Sequence, residues 1–178
     1  MKNTVLLVVD IQNALLNEHP YKAQEFIKNI NKLLQAARNS GMEVIFVRHD
    51  DGKNSELEYG SDGWQISPEV SPEAGERIFD KNFSSSFRQT GLRKYLDGRG
   101  VRNIILCGMQ TNYCIDTTCR VAFEFRYNVI IPASATTTFE NSQSIAEKLI
   151  EYFENKLWNK RFAEVLPMEQ VIGMIQDK

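Results

Sequence analysis

Apolar positions in this chain fall into short unbroken runs, separated by stretches in which they recur at helical spacing. Val5-Leu6-Leu7-Val8-Val9, Val44-Ile45-Phe46-Val47, Ile104-Ile105-Leu106-Cys107 and Val129-Ile130-Ile131 are continuous, as expected of strands covered on both faces. Arg77-Ile78-Phe79-Asp80-Lys81 and Ala163-Glu164-Val165-Leu166 are shorter, more polar strand candidates. From Tyr21 to Ser40 the period changes: Phe26, Ile27, Ile30, Leu33, Leu34 and Ala37 share one helical face, and Gly41 is placed to close the helix. Thr90 can cap a helix that turns Leu92, Tyr95 and Leu96 inward and ends at Gly98 or Gly100. Further helices are expected from about Asn112 to Phe125 and from Ser142 to about Trp158, the latter with Ile145, Leu149, Tyr152 and Phe153 as its stripe. Pro167 is expected at the first position of a terminal helix. Gly52 to Glu76 shows neither period, is polar with Trp64 in its middle, and reads as a long functional loop. The alternation predicts an α/β protein, with a mainly parallel sheet of about six strands and helices on both faces, spanning residues 1–178 as one domain.

In such sheets ligands bind beyond the carboxyl ends of the strands. Asp10, Lys81 and the polar turn before Cys114 all follow predicted strands, so they are expected at one edge. Cys114 opens a helix, where free N–H groups and the positive end of the dipole favour a thiolate and can hold an oxyanion. Cys107, inside a strand, and Cys119, mid-helix, read as small buried residues. A thiol nucleophile needs a proton acceptor. The only histidines are His19, in a polar loop, and His49, beyond the second strand. Asp10 is the better candidate, because a carboxylate closing an apolar strand is costly unless paired, and Lys81 can pair with it. Trp64, Phe83, Phe87 and Tyr113 are the aromatics expected to wall a pocket, with Gln12 and His49 as polar members.

Composition narrows the classes. A net charge of −2 over 178 residues leaves no basic footprint for nucleic acid or an anionic membrane, and no run approaches a membrane span. The Val5–Val9 run is too short for the core of an export signal, and the cysteines number three. The cytoplasm is therefore the expected compartment, without a disulfide framework. The cysteine spacings do not suit zinc, and no Gly-x-Gly-x-x-Gly follows the first strand. The expected partner is a small-molecule substrate, with no metal or other cofactor.

Three separated segments carry a resemblance: Val8-Val9-Asp10-Ile11-Gln12-Asn13, Lys81 within Asp80-Lys81-Asn82-Phe83-Ser84-Ser85-Ser86-Phe87, and Gly108-Met109-Gln110-Thr111-Asn112-Tyr113-Cys114-Ile115. Together they resemble the signature segments of the isochorismatase-like cysteine hydrolase superfamily, in order along nearly the whole chain. The resemblance implies a Rossmann-like three-layer α/β/α fold and an Asp10-Lys81-Cys114 triad. It also implies a cis peptide between Met109 and Gln110, an oxyanion hole from the Gln110 and Cys114 N–H groups, and a homodimer or larger assembly. The nicotinamidase pattern within that family adds an Asp-x-His pair and a further His for a metal. This chain has no histidine after Asp51, so neither that metal nor nicotinamide is implied. Isochorismatases that cleave a vinyl ether characteristically lack the cysteine that is present here. The reading is hydrolysis of a small amide or carbamoyl C–N bond through a thioester. Its alternatives are ether hydrolysis of the isochorismatase type and a non-catalytic binding protein on the same fold. An aspartyl phosphotransferase with Asp10 as nucleophile would want a second Asp where Gln12 stands.

Overall fold

In a computed structural model of the chain, which describes residues 2–140 and 145–177, the first apolar run is strand β1 (Thr4–Val9), buried along its whole length. Its side chains alternate between two cores. Leu6 and Val8 join one core with helices α2 (Ala23–Ser40) and α6 (Met168–Gln176). Val5, Leu7 and Val9 join the other with α3 (Leu92–Gly98) and α4 (Asp116–Glu124). A strand with two apolar faces needs no polar alternation, which is why its sequence reads as an unbroken run.

Beside β1 lie β2 (Glu43–His49) and β4 (Asn103–Met109), with β3 (Arg77–Lys81) outside β2 and β5 (Asn128–Pro132) then β7 (Glu164–Leu166) outside β4. The order is β3-β2-β1-β4-β5-β7, and every ladder is parallel. The sheet is thus three-layered α/β, as expected, but it has seven strands rather than about six. The addition is β6 (Thr136–Thr137), two polar residues too short to register as a run. It pairs with Gly108 and Met109 of β4, beyond the stretch Asn103–Ile105 that β5 covers.

Helix boundaries shift in ways that bear on the site. The helix expected from Asn112 begins as a π-helical turn, Thr111–Ile115, before α4. Helix α5 (Ala146–Tyr152) likewise runs into a π-helical turn, Phe153–Trp158, and its expected start at Ser142 lies outside the described residues. Gly91 rather than Thr90 is the N-cap of α3, with Thr90 Oγ1 one residue earlier accepting the Leu92 N–H at 3.2 Å, and Gly41 closes α2 with φ +69°. Pro167 sits one residue before α6 rather than in its first position.

The stretch 52–76 is not structureless. It carries a 3₁₀ turn, Pro68–Val70, and is tied to the start of α1 (Asn13–Asn17) by Asn13 N–H to Gln65 O at 3.0 Å and Ala14 N–H to Gly63 O at 3.1 Å. Pairing with a neighbouring loop rather than burial of an amphipathic face orders it, so no periodicity marks it. No helix among the described residues is long and apolar enough to cross a membrane.

The strand order reverses between β1 and β4, so the cleft beyond their carboxyl ends is the topological switch point of the sheet. Gly108 lets the two strands close there: its φ is +126°, and a Cβ on it would stand 2.0 Å from the Val9 carbonyl oxygen. Only glycine fits that approach.

Candidate active site

Asp10, the first residue past β1, adopts φ +55°, a left-handed conformation that Asp and Asn tolerate better than most residues. Its N–H donates to Val47 O at 2.8 Å, which anchors the turn to β2. Lys81 ends edge strand β3 and is the only buried residue of that strand. A lysine is rarely buried unless paired, and here Nζ lies 2.7 Å from Asp10 Oδ2, with the two side chains 0% and 2% exposed. Cys114 lies in the π-helical turn that follows β4, and its Sγ accepts from Lys81 Nζ at 3.2 Å. Three residues far apart in sequence therefore meet around one ammonium. Asp10 Oδ1 and Trp64 Nε1 are buried without a hydrogen-bond partner among the described residues.

The peptide bond between Met109 and Gln110 is cis. The turn that follows is held from the side by the Thr136–Thr138 segment. Thr111 Oγ1 donates to Thr136 Oγ1 at 3.0 Å, and Thr138 Oγ1 donates to Asn112 Oδ1 at 2.6 Å. A run of three threonines after an apolar strand was the available signal.

Electrostatics reverse one expectation. A thiol at a helix start was expected to ionise easily, yet burial pushes the Cys114 thiol up, Asp10 pushes it further, and Lys81 only partly offsets them; the result is about 12. Dipole effects are typically worth 0.3–1 kcal/mol, less than burial beside a carboxylate, so the resting sulfur is a thiol. Burial pulls Lys81 down, but Asp10 and Cys114 outweigh it and hold the ammonium above its ordinary value. Cys107 and Cys119 are wholly buried, and burial raises both thiols. Iodoacetamide is therefore expected to label Cys114 first, at a rate that keeps rising as the pH passes 9.0, the ordinary thiol value. A rate already level at neutral pH, read by mass spectrometry, would show a resting thiolate instead.

The residues expected to line a pocket divide. His49 does meet the cluster: its Nδ1 is 3.1 Å from Lys81 Nζ, and its Nε2 is 2.9 Å from Asp51 Oδ1. Gln12 is held away from solvent. It is fully buried, its amide donates to His49 O at 2.8 Å and Trp64 O at 2.9 Å, and its Oε1 accepts the His49 N–H at 2.8 Å. It staples the exits of β1 and β2 to the long loop, because a buried amide needs all its partners. Trp64 is buried against Tyr59, with the Arg48 guanidinium 3.4 Å from its ring centroid. Phe87 packs in the core against Phe125 and Tyr127. Phe83 lies under the Arg88 guanidinium along a groove shared with Thr117, and Tyr113 is 56% exposed. A cavity of about 340 Å³ does open beside Gln110, bounded by Leu15, Leu57 and Phe139 and by Glu18, Asp51 and Glu56, with Asp10, Lys81 and Cys114 outside its lining. Its apolar members come from α1 and the loops after β2 and β6, which no motif joins. Among the described residues no group of three or more His, Cys, Asp or Glu side chains could hold a metal ion.

The family model for the Isochorismatase domain matches residues 4–170. The chain belongs to the isochorismatase family. This family member is 36% identical over 154 residues to the uncharacterized isochorismatase family protein YddQ of Bacillus subtilis, covering 80% of this chain and 83% of that one. It is 29% identical over 171 residues to the ureidoacrylate amidohydrolase RutB of Stutzerimonas stutzeri, covering 75% of this chain and 69% of that one. Its fold superposes on the crystal structure of a cysteine hydrolase from Pseudomonas syringae pv. phaseolicola with a TM-score of 0.91 and 27% identity, covering 98% of this chain and 92% of that one. The protein is an isochorismatase-family hydrolase.

Proposed function

We propose that this hydrolase cleaves the C–N bond of a small amide or carbamoyl compound through a thioester on Cys114. The observation that carries the reading is the buried Lys81 ammonium between Asp10 and the Cys114 sulfur, beside an Asp10 oxygen with no other partner. A carboxylate with an unused buried oxygen is set to accept a proton. Asp10 takes the Cys114 proton as the sulfur attacks the substrate carbonyl carbon, so no free thiolate accumulates and the high resting thiol value is no obstacle. The Gln110 and Cys114 N–H groups hold the oxyanion. As the tetrahedral intermediate collapses, the C–N bond breaks and Asp10 returns the proton to the departing nitrogen. Asp10 then deprotonates a water that attacks the thioester, releasing the acid and restoring the thiol. Lys81 keeps its charge throughout and stabilises first the carboxylate and then the developing negative sulfur.

The name of the RutB relative, an amidohydrolase, supports the C–N reading. The cavity beside Gln110 falls within the size range of small-molecule sites. Its three acidic residues favour a neutral or cationic group over an anionic one. The test is a panel of neutral, cationic and anionic amides, carbamoyl compounds and isochorismate, followed by ammonia or amine release and by loss of the vinyl ether. Turnover is expected among the neutral or cationic amides. Turnover of the ether alone would replace the C–N reading with ether hydrolysis.

A further inference from the structure

We propose that His49 is a positioning residue for this reaction, accepting the third N–H of Lys81 and so fixing the ammonium between Asp10 and Cys114. The inference rests on the hydrolase reading above for what Lys81 does, and on strand register for how His49 comes to hold it. Strand β2 lies between β3 and β1, so Lys81 must pass the end of β2 to reach Asp10. His49 ends β2, and the register pairs it with Lys81. Paired residues of neighbouring strands send their side chains to the same face. The lysine chain therefore leaves β3 alongside the imidazole, and Nζ lies 3.1 Å from Nδ1.

An ammonium has three donors and no acceptor. Asp10 Oδ2, Cys114 Sγ and His49 Nδ1 take the three directions at 2.7, 3.2 and 3.1 Å. Because Lys81 only donates, Nδ1 is the unprotonated nitrogen and the ring proton sits on Nε2, facing Asp51 Oδ1 at 2.9 Å. The Lys81 side chain is 0% exposed, so bulk water is not at hand to accept the third N–H. Without Nδ1 the ammonium would settle toward Asp10 and away from the sulfur, its longest contact. A ring accepting through Nδ1 completes the three-acceptor shell.

What holds the ring is chiefly backbone. Asp51 is 61% exposed, so its pull is screened. The buried Gln12 amide clamps both the N–H and the C=O of His49 at 2.8 Å. Gln12 thus orients His49, His49 orients Lys81, and Lys81 touches the base and the nucleophile.

Two variants separate the acceptor from the space it fills. His49→Asn sets an amide oxygen near the Nδ1 position, whereas His49→Leu fills similar volume with no acceptor. On an amide from the panel, His49→Leu is expected to lower kcat by about 30- to 100-fold with KM within about threefold. His49→Asn is expected to stay within about fivefold of the parent. Alkylation of Cys114 by iodoacetamide at fixed pH needs no substrate, and should slow by about fivefold or more in His49→Leu but not in His49→Asn. Should His49→Leu fail to fold, His49→Ala takes its place in both measurements. Equal impairment of the Asn and Leu variants, a loss confined to KM, or full activity in His49→Leu would each overturn the proposal. If Cys114→Ala retained turnover, the hydrolase reading would fall, while the alkylation comparison would still decide the role of His49.

Discussion

Lys81→Met is expected to cost the fold about 3–5 kcal/mol, as removal of one partner from a buried ion pair does. The two side chains are 0% and 2% exposed at 2.7 Å, so the variant leaves the Asp10 carboxylate in the interior with neither counter-ion nor solvent. Asp10→Asn is expected to cost less. Asparagine tolerates the φ of +55° at that position, and the ammonium it leaves behind retains His49 Nδ1 and Cys114 Sγ as acceptors. The double variant Asp10→Asn/Lys81→Met carries neither charge and should recover part of the loss, giving a coupling measurable by a denaturant cycle. Because the ammonium is held above its ordinary value, Lys81's own contribution is complete below pH 10.5 and is lost as the pH rises through the higher folded value. The advantage of the parent over the double variant should therefore persist across neutral pH and fade in alkali as Lys81 loses its proton. The thiol supplies a second readout with opposite signs. Asp10 raises Cys114 and Lys81 lowers it, so alkylation at fixed pH should quicken in Asp10→Asn and slow in Lys81→Met. Single variants that each cost under about 1 kcal/mol would mean that the two groups do not form a buried charged pair.

Cys114→Ala is expected to lower turnover by about 10³-fold or more, since under the proposed mechanism the bond-forming atom is gone. The change removes one sulfur from a partly exposed position, so the melting temperature should hold within a few degrees. Cys114→Ser is the stricter comparison. It keeps a hydroxyl in place, but a hydroxyl is far less acidic than a thiol and is not deprotonated by a carboxylate. Both variants should be inactive in the ammonia assay while still binding substrate. Retention of full activity in either would move the nucleophile elsewhere.

Much of this was legible along the chain. Strands buried on both faces leave continuous apolar runs, so β1, β2, β4 and β5 could be read directly, and with them the edge of the sheet at which Asp10, Lys81 and Cys114 gather. The π-helical turn at Cys114 and the two-residue β6 could not be read. Each depends on contacts with residues distant in sequence, and neither has a periodicity of its own. Gln12 and Trp64 illustrate the same limit. Both were expected to line a pocket, yet the side chain of one is taken up by backbone groups of the loops around it and that of the other by packing against Tyr59 and Arg48.

The sequence by itself therefore determined the layered α/β architecture, the strand ends that meet and the residues that meet there, because periodicity and motif spacing are local properties. Tertiary structure alone decided two matters of chemistry. The register of β2 against β3 put His49 beside Lys81, and a slip of one residue would have turned the imidazole to the other face of the sheet. Burial beside Asp10 made Cys114 a resting thiol rather than a thiolate, because the energy of a charge depends on everything packed around it rather than on its place in a helix.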